Sequence, residues 1–376
     1  AHLNYIKYIS ENKTLPVQPA VFDLNRGDYE YYQPPLYYLT LSLFYNLSTA
    51  LNFTEDANLF QIRSLSVVMW LVTVIVAWLV VLKSELNSNF AEIFVVAMVS
   101  LLPSYMYISS MVNNDNLVTC LASIFFLVAI QSKENVGWRE VTLLSIFVAL
   151  VFLTKYTGIM LFIFVIIFWS MKLTSDRIKI KNIFSVIFMF VILSFLLMPF
   201  LLRNQALYNS LIPLSVGAHF PNWDSVPYGI YRALRNFLNT FWGVAGRTND
   251  IKFIPAMVIG NLFVLVAVLG MAKNIFNKDS YFRKIINTKK CFSIASLSTV
   301  VIGFIILISY GVKYGHAQGR FLFPLIIPIG IWMAVGFKNV LAERVENIKF
   351  IMNTVMVFIL SAVSFTAYTL FRIHAG

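Results

Sequence analysis

Residues 141–173 read VTLLSIFVALVFLTKYTGIMLFIFVIIFWSMKL. A bilayer core of about 30 Å takes roughly 20 residues of α-helix, so this stretch is too long for one crossing. It is interrupted at Lys155-Tyr156-Thr157-Gly158, where a cation and a glycine break the apolar run. Two membrane helices meeting at that break are the reading that fits. Apolar runs of the same kind recur on both sides, at 64–82, 90–110, 117–131, 183–202, 254–272, 292–309, 321–337 and 350–371. The expectation is an all-α integral membrane protein of about ten transmembrane helices, with Pro103 kinking the second. No internal repeat is visible.

Composition agrees. The chain is 59% hydrophobic with 34 phenylalanines, and its 12% charged residues are about half the share of a soluble domain. A single polytopic membrane domain over 1–376 follows, because no polar segment is long enough to build a core of its own. Its parts are an outer loop with an interfacial helix (1–63), a first helix group (64–202), a second outer loop (203–252) and four last spans (253–376). Cys120 and Cys291 lie in or beside apolar runs and suggest no disulfide. The start, AHLNYIKYISENKTLP, is amphipathic and begins with Ala, as expected of a piece whose upstream part has been removed.

The net charge of +12 would suit nucleic acid, but its distribution points to membrane orientation instead. Alternating the spans puts sixteen Lys and Arg in one set of loops and five in the other, the two long segments aside. The basic side is cytoplasmic. Residues 1–63, the Asn113–Asn116 turn, 203–252 and 310–320 then all face outside, and no nucleic-acid partner is expected.

Most groups with chemical potential share that outer face. Asp23, Asp28, Glu30, Asp115, Asp224 and Asp250 are its carboxylates, and an ionisable group near hydrocarbon is a functional candidate. Asp115 stands at the tip of a helix hairpin, where the alternative reading is a helix N-cap. Asp28 and Glu30, in DLNRGDYEYYQPPLYY (23–38), are either site carboxylates or solvated loop charges. In YGHAQGRFLFP (314–324), Arg320 is placed to hold a phosphate or to snorkel to headgroups. The flanking glycines, which bracket His316 and Gln318, favour the binding reading, since glycine permits close approach. Lys155 is either a site cation or an interfacial anchor. NFLNTFWGVAG (236–246) is either an interfacial helix or, through Trp242, an apolar wall. The histidines are scattered without metal-ligand spacing, and no nucleotide or dinucleotide loop is present, so no metal or cofactor is expected.

EYYQPPLYY (30–38), Ile62-Arg63-Ser64, VNNDN (112–116), LTKYTG (153–158) and QGRFLFP (318–324) together resemble the GT-C superfold of membrane glycosyltransferases, which includes protein O-mannosyltransferases and aminoarabinose transferases. The resemblance implies a polyprenyl-phosphate sugar donor, a lipid, glycan or protein acceptor, surrounding membrane lipids, and an active site on the outer face of a bacterial plasma membrane. It implies that Asp115 is the second outer-loop acid and that the principal carboxylate precedes residue 1. Asp115, Glu30 and Asp28 are then the catalytic candidates. Arg320, Lys155, Gln318, His316, Gln33 and Tyr37 are the substrate-binding candidates, with Tyr38 and Trp242 as further walls. A lipid-linked glycan flippase would need a polar path at mid-membrane and paired broken helices. An O-antigen-type polymerase would share the chemistry with different motifs.

Overall fold

The computed structural model describes residues 1–19, 27–132, 138–173, 180–214, 226–245, 251–274, 281–315 and 318–375. In chain order the helices are α1 (His2–Asn12), α2 (Leu36–Ala50), α3 (Glu55–Lys83), α4 (Asn89–Leu101), α5 (Pro103–Ser109), α6 (Asp115–Gln131), α7 (Trp138–Thr154), α8 (Ile159–Leu173), α9 (Ile180–Tyr208), α10 (Val226–Trp242), α11 (Ile254–Asn274), α12 (Tyr281–Thr288), α13 (Lys290–Tyr314), α14 (Ile326–Leu341) and α15 (Ile348–Ala375). The described non-helical pairing is an antiparallel ladder of two residues a side, Val244–Ala245 with Ile251–Lys252.

Among the described residues seven helices are long and apolar enough to cross a membrane, or eight when the bent pair α4–α5 counts as one. The expected count of about ten would need two more, α6 and α7. Each has 17 residues and at 1.5 Å per residue reaches only about 25 Å. Length alone therefore does not establish ten crossings.

The two interruptions have local causes. Leu102 is extended (φ −64°, ψ 114°) because the residue before a proline is pushed out of the helical region, and α4 and α5 meet at 49°. Lys155 is extended (φ −159°, ψ 143°). Gly158 then turns so close to α7 that a Cβ there would lie 2.7 Å from the Val151 carbonyl carbon. A larger residue could not make that turn.

The helix ends fall into two groups. At one, Lys289 reaches Glu85, Ser88 and Lys338 both reach Glu346, and Tyr281 reaches the Leu86 carbonyl. These are the lysine-rich loops. At the other end Arg203 donates to the Pro16 carbonyl, Gln18 to the Tyr208 hydroxyl, and Tyr156 to the Tyr32 carbonyl. Among the described residues, the basic segments around 85–88, 281–289 and 338–346 therefore meet one another, as do the segments around 15–18, 32, 156 and 203–208.

Candidate functional site

At the second end, each residue of Asn113-Asn114-Asp115-Asn116 has a separate task. The Asn113 carboxamide accepts from the Asp115 amide at 2.9 Å, which closes the turn. Asn116 donates to the carbonyls of Ile108 and Met111 at 3.1 and 3.0 Å, tying the turn to α5. Asn114 reaches outward to the Tyr38 hydroxyl at 3.3 Å. That leaves Asp115, the first residue of α6, free to point its carboxylate across the bundle. Its negative charge in the first helical turn is also favoured by the helix dipole.

It meets Lys155. Lys155 Nζ donates to Asp115 Oδ1 at 2.7 Å, with the carboxylate wholly enclosed and the lysine side chain 9% exposed. Burial excludes the interfacial-anchor reading of Lys155. The N-cap reading of Asp115 also falls, because Asn114 is the capping position and makes no side-chain cap. Lys155 lies over the Phe321 ring as well, 5.3 Å from its centre.

Arg320 completes the cluster. Its Nε lies 3.9 Å from Asp115 Oδ2 and donates to Gln318 Oε1 at 2.6 Å. Asp115 Oδ2 itself is buried without a hydrogen bond. The glycine between Gln318 and Arg320 packs against α10. The Gly319 amide donates to Thr240 Oγ1 at 2.6 Å, and a Cβ would lie 2.4 Å from the Phe241 nitrogen. The closeness anticipated from the glycines is between Gly319 and α10. Gly315 ends α13 in the left-handed region at φ 74°. His316 lies outside the described residues, as do Asp23, Asp224 and Asp250.

Glu30 sits half-buried in the loop before α2. Burial raises its carboxyl above the ordinary 4.5; Lys155 and Arg320 oppose that rise, and Asp115 adds to it. Glu30 therefore belongs to the same electrostatic neighbourhood. Asp28 is half-buried, with Oδ1 enclosed and unpartnered. Gln33 accepts the Tyr5 hydroxyl through its carbonyl at 3.3 Å, while its Oε1 is enclosed and unpartnered.

The expected aromatic walls are part of the core. Tyr37 and Tyr38 are fully buried, edge to face at 5.4 Å. Trp242 is buried against Gly260 of α11, whose Cβ would fall 2.0 Å from the indole. Their enclosure gives them a packing role.

Sequence reading missed two contributors. The Tyr156 hydroxyl donates to the Tyr32 carbonyl and accepts from Asn204 at 3.1 Å, so the helix break that positions Lys155 is tied to the Glu30 loop and to α9. His2, set aside as scattered, bonds the Tyr38 hydroxyl through Nδ1 at 2.9 Å. Burial holds its imidazole well below the ordinary value, and the charge of Lys155 lowers it further. No sequence spacing links position 2 to 155 or 320. Among the described residues, no group of three or more His, Cys, Asp or Glu could hold a metal ion.

Residues 32–202 match the family described as dolichyl-phosphate-mannose-protein mannosyltransferase. That segment contains Asp115 and Lys155, while Glu30 and Arg320 fall outside it. The fold is similar to the crystal structure of ArnT from Cupriavidus metallidurans bound to undecaprenyl phosphate, with a TM-score of 0.50 at 13% identity. The likeness covers 89% of this chain and 54% of the other, so this chain spans about half the length of that protein. No curated protein matches the sequence. In sequence over part of its length, and in fold over most of it, the chain resembles the GT-C membrane glycosyltransferases.

Proposed function

We propose that this chain carries part of the active site of a membrane glycosyltransferase that moves a sugar from a polyprenyl-phosphate donor to a hydroxyl-bearing lipid, glycan or protein. The observation that carries the proposal is the meeting of Asp115, Lys155 and Arg320, from three distant segments, at one end of an apolar helical bundle. The matched family and the undecaprenyl phosphate in the ArnT structure support the donor class. The lysine-rich loops at the opposite end support an outward-facing site in a bacterial plasma membrane.

In the reaction the acceptor oxygen attacks the anomeric carbon, the bond from that carbon to the phosphate oxygen breaks, and the acceptor proton passes to a carboxylate. Glu30 suits the proton, because burial raises its affinity for one. Asp115 orients the acceptor through Oδ2, its Oδ1 being held by Lys155. Asp28 is the second carboxylate of the Glu30 loop. Arg320, held by Gln318, and Lys155 offset the charge growing on the leaving phosphate. Gln33 and His316 bind sugar or phosphate oxygens. On α2, Leu39, Leu43 and Leu47 form an exposed apolar stripe at helical spacing, which supports an interfacial position beside the donor's lipid tail.

The test is transfer by the full-length protein carrying Asp115→Asn or Arg320→Gln. Each change is expected to lower the rate by about 100-fold or more. Wild-type transfer by both variants would refute the proposal.

A further inference from the structure

A cavity of about 540 Å³ opens among the lysine-rich helix ends. Its lining is Leu82 and Lys83 at the end of α3, Glu85 just beyond, Ile130 and Gln131 at the end of α6, and Lys289 before α13. The volume is that of a small-molecule site. Glu85, left-handed at φ 56° where the chain leaves α3, pairs with Lys289 at 2.9 Å. No described residue forms an ion pair with Lys83. Two ammonium groups therefore share one carboxylate, and a positive charge is left over. Gln131 adds an amide donor. Lys83 alone would be an ordinary helix-terminal cation or a side chain snorkelling to water. The surface leading to it argues for more. Leu71, Ile75, Trp78 and Leu82 are all exposed, and steps of four, three and four residues put them on one face of α3. That apolar stripe runs into the cavity, because Leu82 belongs to both.

We propose that this cavity binds an anionic phospholipid, with its phosphate between Lys83 and Lys289 and an acyl chain along the stripe from Leu82 to Leu71. A soluble anion would use the lysines and leave the stripe unused. A zwitterionic lipid would use the stripe but bring its own cation to the lysines. An anionic lipid matches both features at once. The site involves none of Asp115, Lys155 and Arg320, so the proposal holds whether or not the chain transfers sugar.

Trp78 reports what lies on the stripe. The full-length protein is placed in phosphatidylcholine bilayers that contain a minor fraction of lipid brominated on its acyl chains, either phosphatidylglycerol or phosphatidylcholine. Bromine quenches a tryptophan that it touches, and the difference between wild type and Trp78→Phe isolates Trp78 among the seven tryptophans of this sequence. Brominated phosphatidylglycerol is expected to quench Trp78 as if bound about fivefold more tightly than brominated phosphatidylcholine, the preference that one uncompensated lysine confers. Lys83→Gln should abolish that preference, and Lys83→Arg should keep it. Lys284 is an exposed cation of α12 outside the cavity lining, and Lys284→Gln should leave the preference unchanged. Equal quenching by the two lipids overturns the proposal, and this comparison needs no variant, so it stands even where a variant misfolds. Equal loss in Lys83→Gln and Lys284→Gln also overturns it, since diffuse surface charge would then account for the preference. Inorganic phosphate, compared with chloride at matched ionic strength, should not relieve the quenching by phosphatidylglycerol. Relief would assign the cavity to a free anion and overturn the lipid.

Discussion

The two ends of the helical bundle carry the same kinds of ion pair in opposite surroundings. At the basic end Lys289 meets Glu85 at 2.9 Å with the glutamate side chain 51% exposed. At the site end Lys155 meets Asp115 at 2.7 Å with the aspartate at 0%. Water solvates the first pair whether or not it forms, so its net contribution is small. The second pair is cut off from water, and each charge depends on the other. The difference shows that distance is a poor guide to the importance of a salt bridge. What matters is whether solvent can replace the partner.

The sharpest way to break this comparison is to remove one buried charge. Asp115→Ala should cost about 3–5 kcal/mol, since it strands Lys155 inside the protein. The double change Asp115→Leu with Lys155→Met should recover most of that loss while remaining unable to transfer sugar. Thermal unfolding in detergent, run beside a transfer assay, checks both. A single variant as stable as wild type would mean that the pair is solvated after all.

Gly319→Ala probes the scaffold of the same end. Its methyl group would press on the Phe241 backbone, and overpacking of this kind costs about 1–3 kcal/mol. Arg320 should shift with it, so transfer is expected to fall even where the protein remains folded. Unchanged stability would show that α10 yields freely.

Glu30 sharpens the comparison through pH. Burial raises its carboxyl above 4.5, so the folded state holds this proton more tightly than the unfolded chain does. Its contribution to stability therefore declines as pH climbs from 4.5 through the raised value. Glu30→Gln should remove that decline, giving a flatter melting temperature over this window, with transfer reduced about 100-fold as for loss of a general base. A pH profile of stability identical to wild type would show that Glu30 is solvated. The smallest effect is expected at the other end. Lys289→Ala should change stability by no more than about 1 kcal/mol and leave transfer intact.

Much of the fold was legible because its causes are local. The apolar runs, the break at Lys155 and the bend at Pro103 each follow from residues within a turn or two of the feature. Lysine-rich loops likewise separated from the others before any contact was known. Two expectations made from residue type could not name the neighbours involved. Gly319 suggested room for a ligand, and the room is taken by α10. Tyr37, Tyr38 and Trp242 suggested substrate walls, yet their rings are enclosed by neighbouring elements. In each case the residue type announced close contact without saying with what.

By itself the sequence determined a membrane-embedded helical chain and the places where its helices break. Hydropathy and backbone preference are properties of short stretches, so one chain suffices to read them. Only the tertiary structure decided that Asp115 pairs with Lys155, that Arg320 stands beside them, that Tyr156 ties the break to the Glu30 loop, and that His2 bonds Tyr38. Those pairings join residues far apart in the chain, and helix packing, which no local pattern encodes, sets which of them meet.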